Sequence, residues 1–494
     1  MATSSGRPPY DKVIRDIAHY VFTYQVEDER VLRCARTALL DALGCAIETV
    51  AKSADCRRII GPVIPGTQVP NGFQLPGTSY SLDPLKGAFD LGTLIRYLDH
   101  NDALAGKDWG HPSDNIGALL PVMDWLCREE ASGSPARRGP GPPLILRTLL
   151  EAIVKAYEIQ GCMLLQNAFH EFGLDHVLLV KLASAAVVPW LLGMSETETM
   201  ACISHVWMDA APLRVYRSGL NTIPRKGWAA GDACMRAVEF ALLVRSGQSG
   251  SPTVLTMPRW GFYASTWRGS GVFVLPMPYS DWVVRNVFYK VMPLEGHGIA
   301  PVEAAVIQSG RMQDRGLHHP VQDIEKVVIR TNAAAKMIID KPGPLHNHAD
   351  RDHCMQYAVA VSLLKGSVPE AADFDDDSPF ASSHDVETLR ARMEIYADDR
   401  LTADYLSLQK KSIPSGVTVH LTNGQILEEV LVEFPCGHVE RPETIVHVKE
   451  KFRRNLSLLF SAEEAALIED AVENRDHLPV RDFVDMLARE SDFT

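Results

Sequence analysis

The run Arg96-Tyr-Leu-Asp-His-Asn-Asp-Ala-Leu-Ala-Gly-Lys-Asp-Trp-Gly-His-Pro-Ser-Asp-Asn115 sets Asp99, His100, Asp102, Lys107, Asp108 and His111 between an apolar segment, Leu91–Leu98, and another that starts at Ile116. Charged side chains are seldom buried without partners, so such a run is either a solvated loop or the floor of a site. Pro112 drives His111 out of helical geometry, and Ser113, Asp114 or Asn115 can cap a following helix. The imidazole then lies beside a helix N-terminus, where an anion is favoured. His176 follows Gly173-Leu174-Asp175 and opens the apolar run from Val177, again at a helix start. Asp99, His111 and His176 are therefore the candidate proton-transfer groups. Candidate cations crowd one short segment, Arg214, Arg217, Arg225 and Lys226, just ahead of Ala229-Ala230-Gly231, small residues that permit an anion to approach closely. Lys290 and His297, the latter in a Pro-x-Glu-Gly-His-Gly turn, extend the set, whereas Arg351 and His353 in Asp-Arg-Asp-His read as surface ion pairs. Together these types supply a base, an acid and positive charge for a developing anion.

The chain carries a net charge of −13, which argues against nucleic acid as a partner and obliges any polyanion site to gather its own cations. With 494 residues, 46% of them hydrophobic, it can bury a large core in more than one domain. No apolar run reaches the roughly 20 residues that span a bilayer, and the N-terminus has no apolar signal core. Acids occur by Asp11, unlike a long Arg-rich presequence, so the expected compartment is the cytoplasm, or the mitochondrial matrix if a presequence is missing from this chain. Nine cysteines are spread singly with no Cys-x-x-Cys pair, which reads as reduced core thiols. Cys34, Cys45 and Cys56 recur at helical spacing but do not resemble the grouped thiolates of an iron–sulfur centre. The expectation is chemistry with no cofactor and no metal.

Helices must position these groups. From Val31 the positions Leu32, Ala35, Leu39, Leu43, Ala46 and Ile47 fall on one helical face within a helical region 10–50. A loop with four prolines, Gly61–Ser79, leads to a helix over about 84–98. The next helix ends near Trp125, and Pro121 kinks it or marks its start. Residues 129–143 have the composition of an exposed loop, with Arg137 and Arg138 solvated. Periodicity resumes over 144–168, 176–193, 196–211 and 228–246. Residues 258–276, aromatic and β-branched runs broken by Gly and Pro, predict strands. Residues 324–331 alternate as a strand, and 417–434 form two alternating runs joined by Asn423-Gly424, a type I′ hairpin. Helices at 299–315, 350–365 and about 385–393 intervene, with an acidic exposed loop at Asp373–Asp377, and from about 443 the pattern is helical. The reading is a mainly α protein: a large all-helical domain formed by both termini (1–275 and 437–494) with an inserted smaller α+β lid domain (276–436).

The blocks Leu98-Asp-His-Asn-Asp102 and Trp109-Gly-His-Pro-Ser-Asp-Asn115 resemble the signature of the 2-methylcitrate dehydratases of the MmgE/PrpD superfamily, which also holds cis-aconitate decarboxylases. The likeness recurs, in order, at 159–184, 216–233, 296–305 and 340–357. It implies a helical core plus lid, a homodimer, and a cleft lined by Asp99, His111, His176, Lys226 and Lys290. His111 and Asp99 would be the leading acid/base pair, with Lys226 and Lys290 holding carboxylates. Where relatives commonly carry Thr, this chain has Ala103, and that departure leans toward a longer alkyl substrate. The implied activity is cofactor-independent dehydration of 2-methylcitrate or a longer 2-alkylcitrate to the alkyl-cis-aconitate, in propionate or specialised metabolism. Decarboxylation of a cis-aconitate, which needs no acid for a leaving hydroxyl, and a catalytically inactive homodimeric binding protein are the alternatives.

Overall fold

The computed structural model describes residues 6–133, 139–209, 212–218 and 221–489, so Arg137, Arg138 and Gly219 lie outside the described residues. The chain is mainly α. Helix α1 (Glu29–Lys52), started by an Asp28 carboxylate that accepts from the Arg30 amide, is buried on all sides from Ala35 to Val50, because helices surround it. Helices α2 (Pro84–Arg96) and α4 (Leu146–Gln166) pack against it, and α3 (Ile116–Ala131), α5 (Val177–Leu191) and α6 (Arg225–Arg245) pack on those two and on each other. Pro121 neither starts nor ends α3, which begins five residues earlier and runs through it. Helix α6 begins three residues ahead of the expected start, directly after Pro224, where a missing N–H costs no helical bond.

A four-stranded sheet follows, built from β1 (Ile324–Thr331), β2 (Met393–Ala397), β3 (Ser415–Leu421) and β4 (Ile426–Val432) in the order β2-β1-β3-β4. Strands β1 and β2 are parallel, and the other pairs antiparallel. Val417, Val419 and Leu421 alternate inward, α7 (Ile299–Gln313) covers that face, and α8 (Met355–Lys365) packs on α7. The Gln308 amide on α7 is buried among backbone, donating to the Val417 carbonyl at 2.7 Å and the Glu428 carbonyl at 3.0 Å.

Two sequence expectations fail locally. The β3–β4 hairpin is not type I′: only Gly424 (φ 83°) has positive φ, and Leu421 pairs with Gln425 across three residues. Type I′ needs positive φ at both central residues, and Asn423 instead uses its side-chain oxygen to accept from the Gln425 amide at 3.0 Å. Residues 258–276 form turns rather than strands. Their aromatic rings satisfy one another and the helical body, with Trp267 stacked 4.0 Å from Phe172 and Phe273 5.0 Å from Trp207, while Arg259, Arg268, Gly269 and Gly271 sit at positive φ, which interrupts extended backbone.

Buried apolar side chains form two clusters. One runs from Ile14 to Tyr289 and is joined by Val448, Phe452, Leu456 and further side chains up to Leu487. The other is built on the sheet, α7 and α8, and takes Ala103, Ala105 and Trp109 from the first half of the chain. Leu104 belongs to the first cluster and its two neighbours to the second, so the 99–115 stretch lies along the seam between them. No helix among the described residues is long and apolar enough to cross a membrane.

Candidate active site

The polar stretch is a floor rather than a solvated loop: Asp99, His100, Asn101, Asp102, Asp108 and His111 are buried, and Lys107 alone is exposed. Helix α2 ends by delivering Arg96, and one turn later Asp99 adopts φ 55°, a left-handed conformation that costs energy for a residue with a side chain and persists when surroundings impose it. Here the surroundings are cationic. Arg96 pairs with the Asp99 carboxylate, and Lys290 Nζ donates to Asp99 Oδ1 at 2.5 Å and to its carbonyl at 3.0 Å. Burial alone would raise the Asp99 pKa, but Arg96, Lys290, His353 and Lys226 outweigh it and hold the carboxyl well below its usual range.

His111 is fixed from both sides. Arg96 donates to its Nε2 at 2.9 Å, and since a guanidinium only donates, Nε2 is the acceptor and Nδ1 carries the proton, given to the Asp102 carbonyl at 2.7 Å. Burial, then Arg96 and Lys290, push His111 well below the ordinary histidine pKa, so the ring is neutral. His176 stands against it with ring centroids 5.4 Å apart and is also held neutral, chiefly by burial. Its Nδ1 has no hydrogen-bond partner among the described residues. Arg217 bonds Asp175 at 2.5 Å beside it, and Arg214 adds positive potential, with a buried Nη1 also unpartnered among the described residues.

The sheet-bearing cluster supplies the opposite wall. Lys226 reaches across from α6 to Asp352 (2.8 and 2.9 Å) and lies 3.0 Å from His353 Nδ1. His353 Nε2 is in turn 3.4 Å from Asp99 Oδ2, so the two walls meet in one network. Burial lowers the Lys226 pKa against the pull of Asp352. Asp99, Asp352 and His353 offer three ligand atoms within 4.8 Å of one another. A divalent cation there would face the Lys226 and Lys290 ammonium groups at hydrogen-bonding range, and the group is better described as the counter-charge that gathers those lysines.

Asp99, His111, Lys226 and Lys290 are thus linked through Arg96 and His353 in one buried network, with His176 against the His111 ring and Arg217 and Arg214 beside it. Arg225 does not join them: adjacent to Lys226 on a helix, it points about 100° away, over the Trp228 ring and toward Asp232. His297 sits behind the wall, packed 4.2 Å from Trp109 and bonded to Glu295 and Tyr405. Ala229, Ala230 and Gly231 serve packing rather than anion approach, since a Cβ on Gly231 would strike the Phe89 carbonyl of α2. Nor do Ser113, Asp114 or Asn115 cap α3: Ser113 bonds Asp102 at 2.6 Å, Asp114 accepts from Asn101, and Asn115 bonds Gln160 and Ser184. Arg96, His353 and Asp352 are the site residues that sequence reasoning overlooks or misplaces. Arg96 had a usable signal, its i, i+3 spacing to Asp99. For His353 the Asp-Arg-Asp-His run gives no hint that Lys226 lies opposite.

Support comes from further away. Lys451, on helix α9 (Thr444–Leu456), is buried and donates to Asp41 (2.7 Å) and to the carbonyls of His100 (2.5 Å) and Lys290 (2.8 Å), tying together the backbone on both walls. From Lys226 and Asp352 a cleft of about 620 Å³ leads outward past Tyr97, Ile223 and Ala371.

Family models match along this architecture: the MmgE/PrpD N-terminal domain over residues 15–272 and the MmgE/PrpD C-terminal domain over 292–477. The chain belongs to the MmgE/PrpD family. It is 56% identical to a protein named alkylcitrate dehydratase phiI from a fungal species, over 97% of this chain and 94% of that one. A protein of the same name from Talaromyces stipitatus is 50% identical over 98% of each chain. The 2-methylcitrate dehydratase of Escherichia coli is 42% identical over 97% of this chain and 98% of its own.

Proposed function

We propose that this protein is a hydro-lyase that removes water from 2-methylcitrate or a longer 2-alkylcitrate to give the alkyl-cis-aconitate, using its own side chains as acid and base. The observation that carries the reading is a neutral His111 whose Nε2 accepts at the centre of a buried set of cations. A citrate skeleton needs three carboxylates held, a proton taken from the carbon beside one of them, and a proton delivered to the departing hydroxyl. Arg96 and Lys290, with Arg214 and Arg217 nearby, supply the positive field for the carboxylates. As Arg96 exchanges its bond to His111 Nε2 for one to a substrate carboxylate, the freed lone pair of Nε2 takes the carbon-bound proton while the carbon–hydroxyl bond breaks. An anionic substrate would offset the cations that hold the His111 pKa down and so strengthen it as a base. Lys226, a better donor for having its pKa lowered by burial, gives the proton that turns the hydroxyl into water, and the electron pair of the C–H bond becomes the alkene. In this reading Asp99 stays ionised and organises the cations, and His176 packs the His111 ring and offers Nδ1 to the substrate.

The test is direct. Purified protein with a chelator present is expected to generate the ultraviolet absorbance of the conjugated alkene from 2-methylcitrate or 2-alkylcitrates; no absorbance from any of them overturns the reading. The two relatives named alkylcitrate dehydratase share more of this sequence than the Escherichia coli 2-methylcitrate dehydratase does, which supports including 2-alkylcitrates among the substrates. The division into a helical body and a lid, a homodimeric assembly and residence in the cytoplasm belong to the same proposal. Light scattering and imaging of the tagged protein check the last two.

A further inference from the structure

We infer that the cleft leading outward from Lys226 and Asp352 is the subsite for the substrate's 2-alkyl tail, and that it favours an uncharged chain of several carbons. This rests on the dehydratase reading above. The hollow sorts its surroundings by polarity along its length. At the inner end stand the ammonium of Lys226 and the groups it joins. Outward from them the wall is Tyr97, Leu98, Ile223, Pro224, Ala349 and Ala371, side chains without formal charge and mostly small or rigid. Tyr97 keeps its hydroxyl proton, its pKa pushed up to about 12 by burial. At the mouth the charges are acidic, Asp55, Glu370, Asp375 and Asp376. The Lys52 ammonium and the His348 ring beside them are already engaged, Lys52 with Glu48 at 2.9 Å and His348 with Asp375 at 2.9 Å.

This gradient fixes an orientation. Three carboxylates are drawn to the inner cations and repelled by the acidic mouth, so the only part of an alkylcitrate that fits the outer cleft is its uncharged chain. At about 620 Å³ the cleft has the size of a small-molecule pocket. Ile223, 49% exposed, is an apolar side chain on that wall that a bound chain would cover. Each methylene moved from water against such a wall should raise kcat/KM about fourfold until the cleft is filled.

The experiment compares 2-methyl-, 2-butyl-, 2-hexyl- and 2-decylcitrate with the unaltered protein and with Ala371→Trp and Ile223→Asp, the first filling the cleft and the second charging it. The expected result is a rise in kcat/KM with chain length in the unaltered protein, and a fall of at least tenfold in the hexyl-to-methyl ratio in each variant. A flat or falling series, or a ratio that neither variant moves, overturns the tail subsite while leaving the dehydratase reading intact. Absence of turnover at every chain length, methyl included, removes both. Should Ala371→Trp fail to fold, Ile223→Asp, at a half-exposed position, still decides.

Discussion

Two charged segments feed the same buried network by different means. In 96–115 most polar side chains are buried, and several pair within the segment: Arg96 with Asp99 and His111, Asn101 with Asp114, Ser113 with Asp102. In 214–228 the four cations fan out, Arg214 and Arg217 toward Asp175 and His176, Lys226 across the seam to Asp352, and Arg225 onto Trp228. The first segment is a loop held at both ends by core helices, so its side chains can converge. The second passes into α6, where each residue turns about 100° from the last, and consecutive charges must diverge. A density of charge in the sequence therefore marks a site only where the backbone lets the side chains face one another.

The sharpest way to break this comparison is to remove the one group that the first segment presents for chemistry. His111→Ala is expected to lower kcat by about 10²–10⁴ with an unchanged circular dichroism spectrum; activity within tenfold of the unaltered protein would refute the central role of that ring. The second segment makes a more discriminating demand, because it predicts opposite results for adjacent cations. Lys226→Met should cost about 10²-fold or more in kcat/KM, while Arg225→Met should stay within about threefold, as an exposed pair of its kind contributes little. Equal losses in steady-state kinetics would mean that the helix does not separate them as described. Lys226→Met also strands Asp352, buried, without its main counter-charge, so its melting temperature should fall whereas that of Arg225→Met should not.

Much of this was legible in the residue order, and the exceptions have physical reasons. The helix that carries Arg96 and the one that His176 precedes follow from apolar periodicity, and strand β1 from alternation, whereas Lys226 lies in the first turn of α6, ahead of the start at 228 that periodicity gives. The aromatic run at 258–276 has the composition of strands but no neighbour to pair with, and side-chain packing decided its form. His353 was hidden because a short charged run looks the same whether it faces water or a lysine from another domain. The family match over 292–477 extends past β4 into α9, whose Val448 and Phe452 pack with the first cluster and whose Lys451 grips the seam. Such a contact, between residues some hundreds of positions apart, leaves no local trace. His297 failed for the converse reason, since its Gly-His-Gly turn is as well suited to a core ring stacked on Trp109 as to a ligand-binding one.

The smallest effect concerns how the first segment is held. Asp102 accepts from the Ser113 amide (3.0 Å), the Ser113 hydroxyl (2.6 Å) and the Tyr157 hydroxyl (2.8 Å), and burial pushes its pKa up to about 6, against these donors. An unfolded aspartate titrates near 3.9. Between about pH 4 and pH 6 the folded protein therefore binds more protons at this position than the unfolded one, and stability from Asp102 falls as pH rises through that window, levelling off above it. Asp102→Asn keeps an acceptor for Ser113 and removes the ionisation. Its stability relative to the unaltered protein should climb between pH 4 and pH 6, by up to about 3 kcal/mol, and then hold constant to pH 8. Urea titrations of both proteins across that range would show it, and a difference that stays flat through the window would mean that Asp102 is ionised there at no cost.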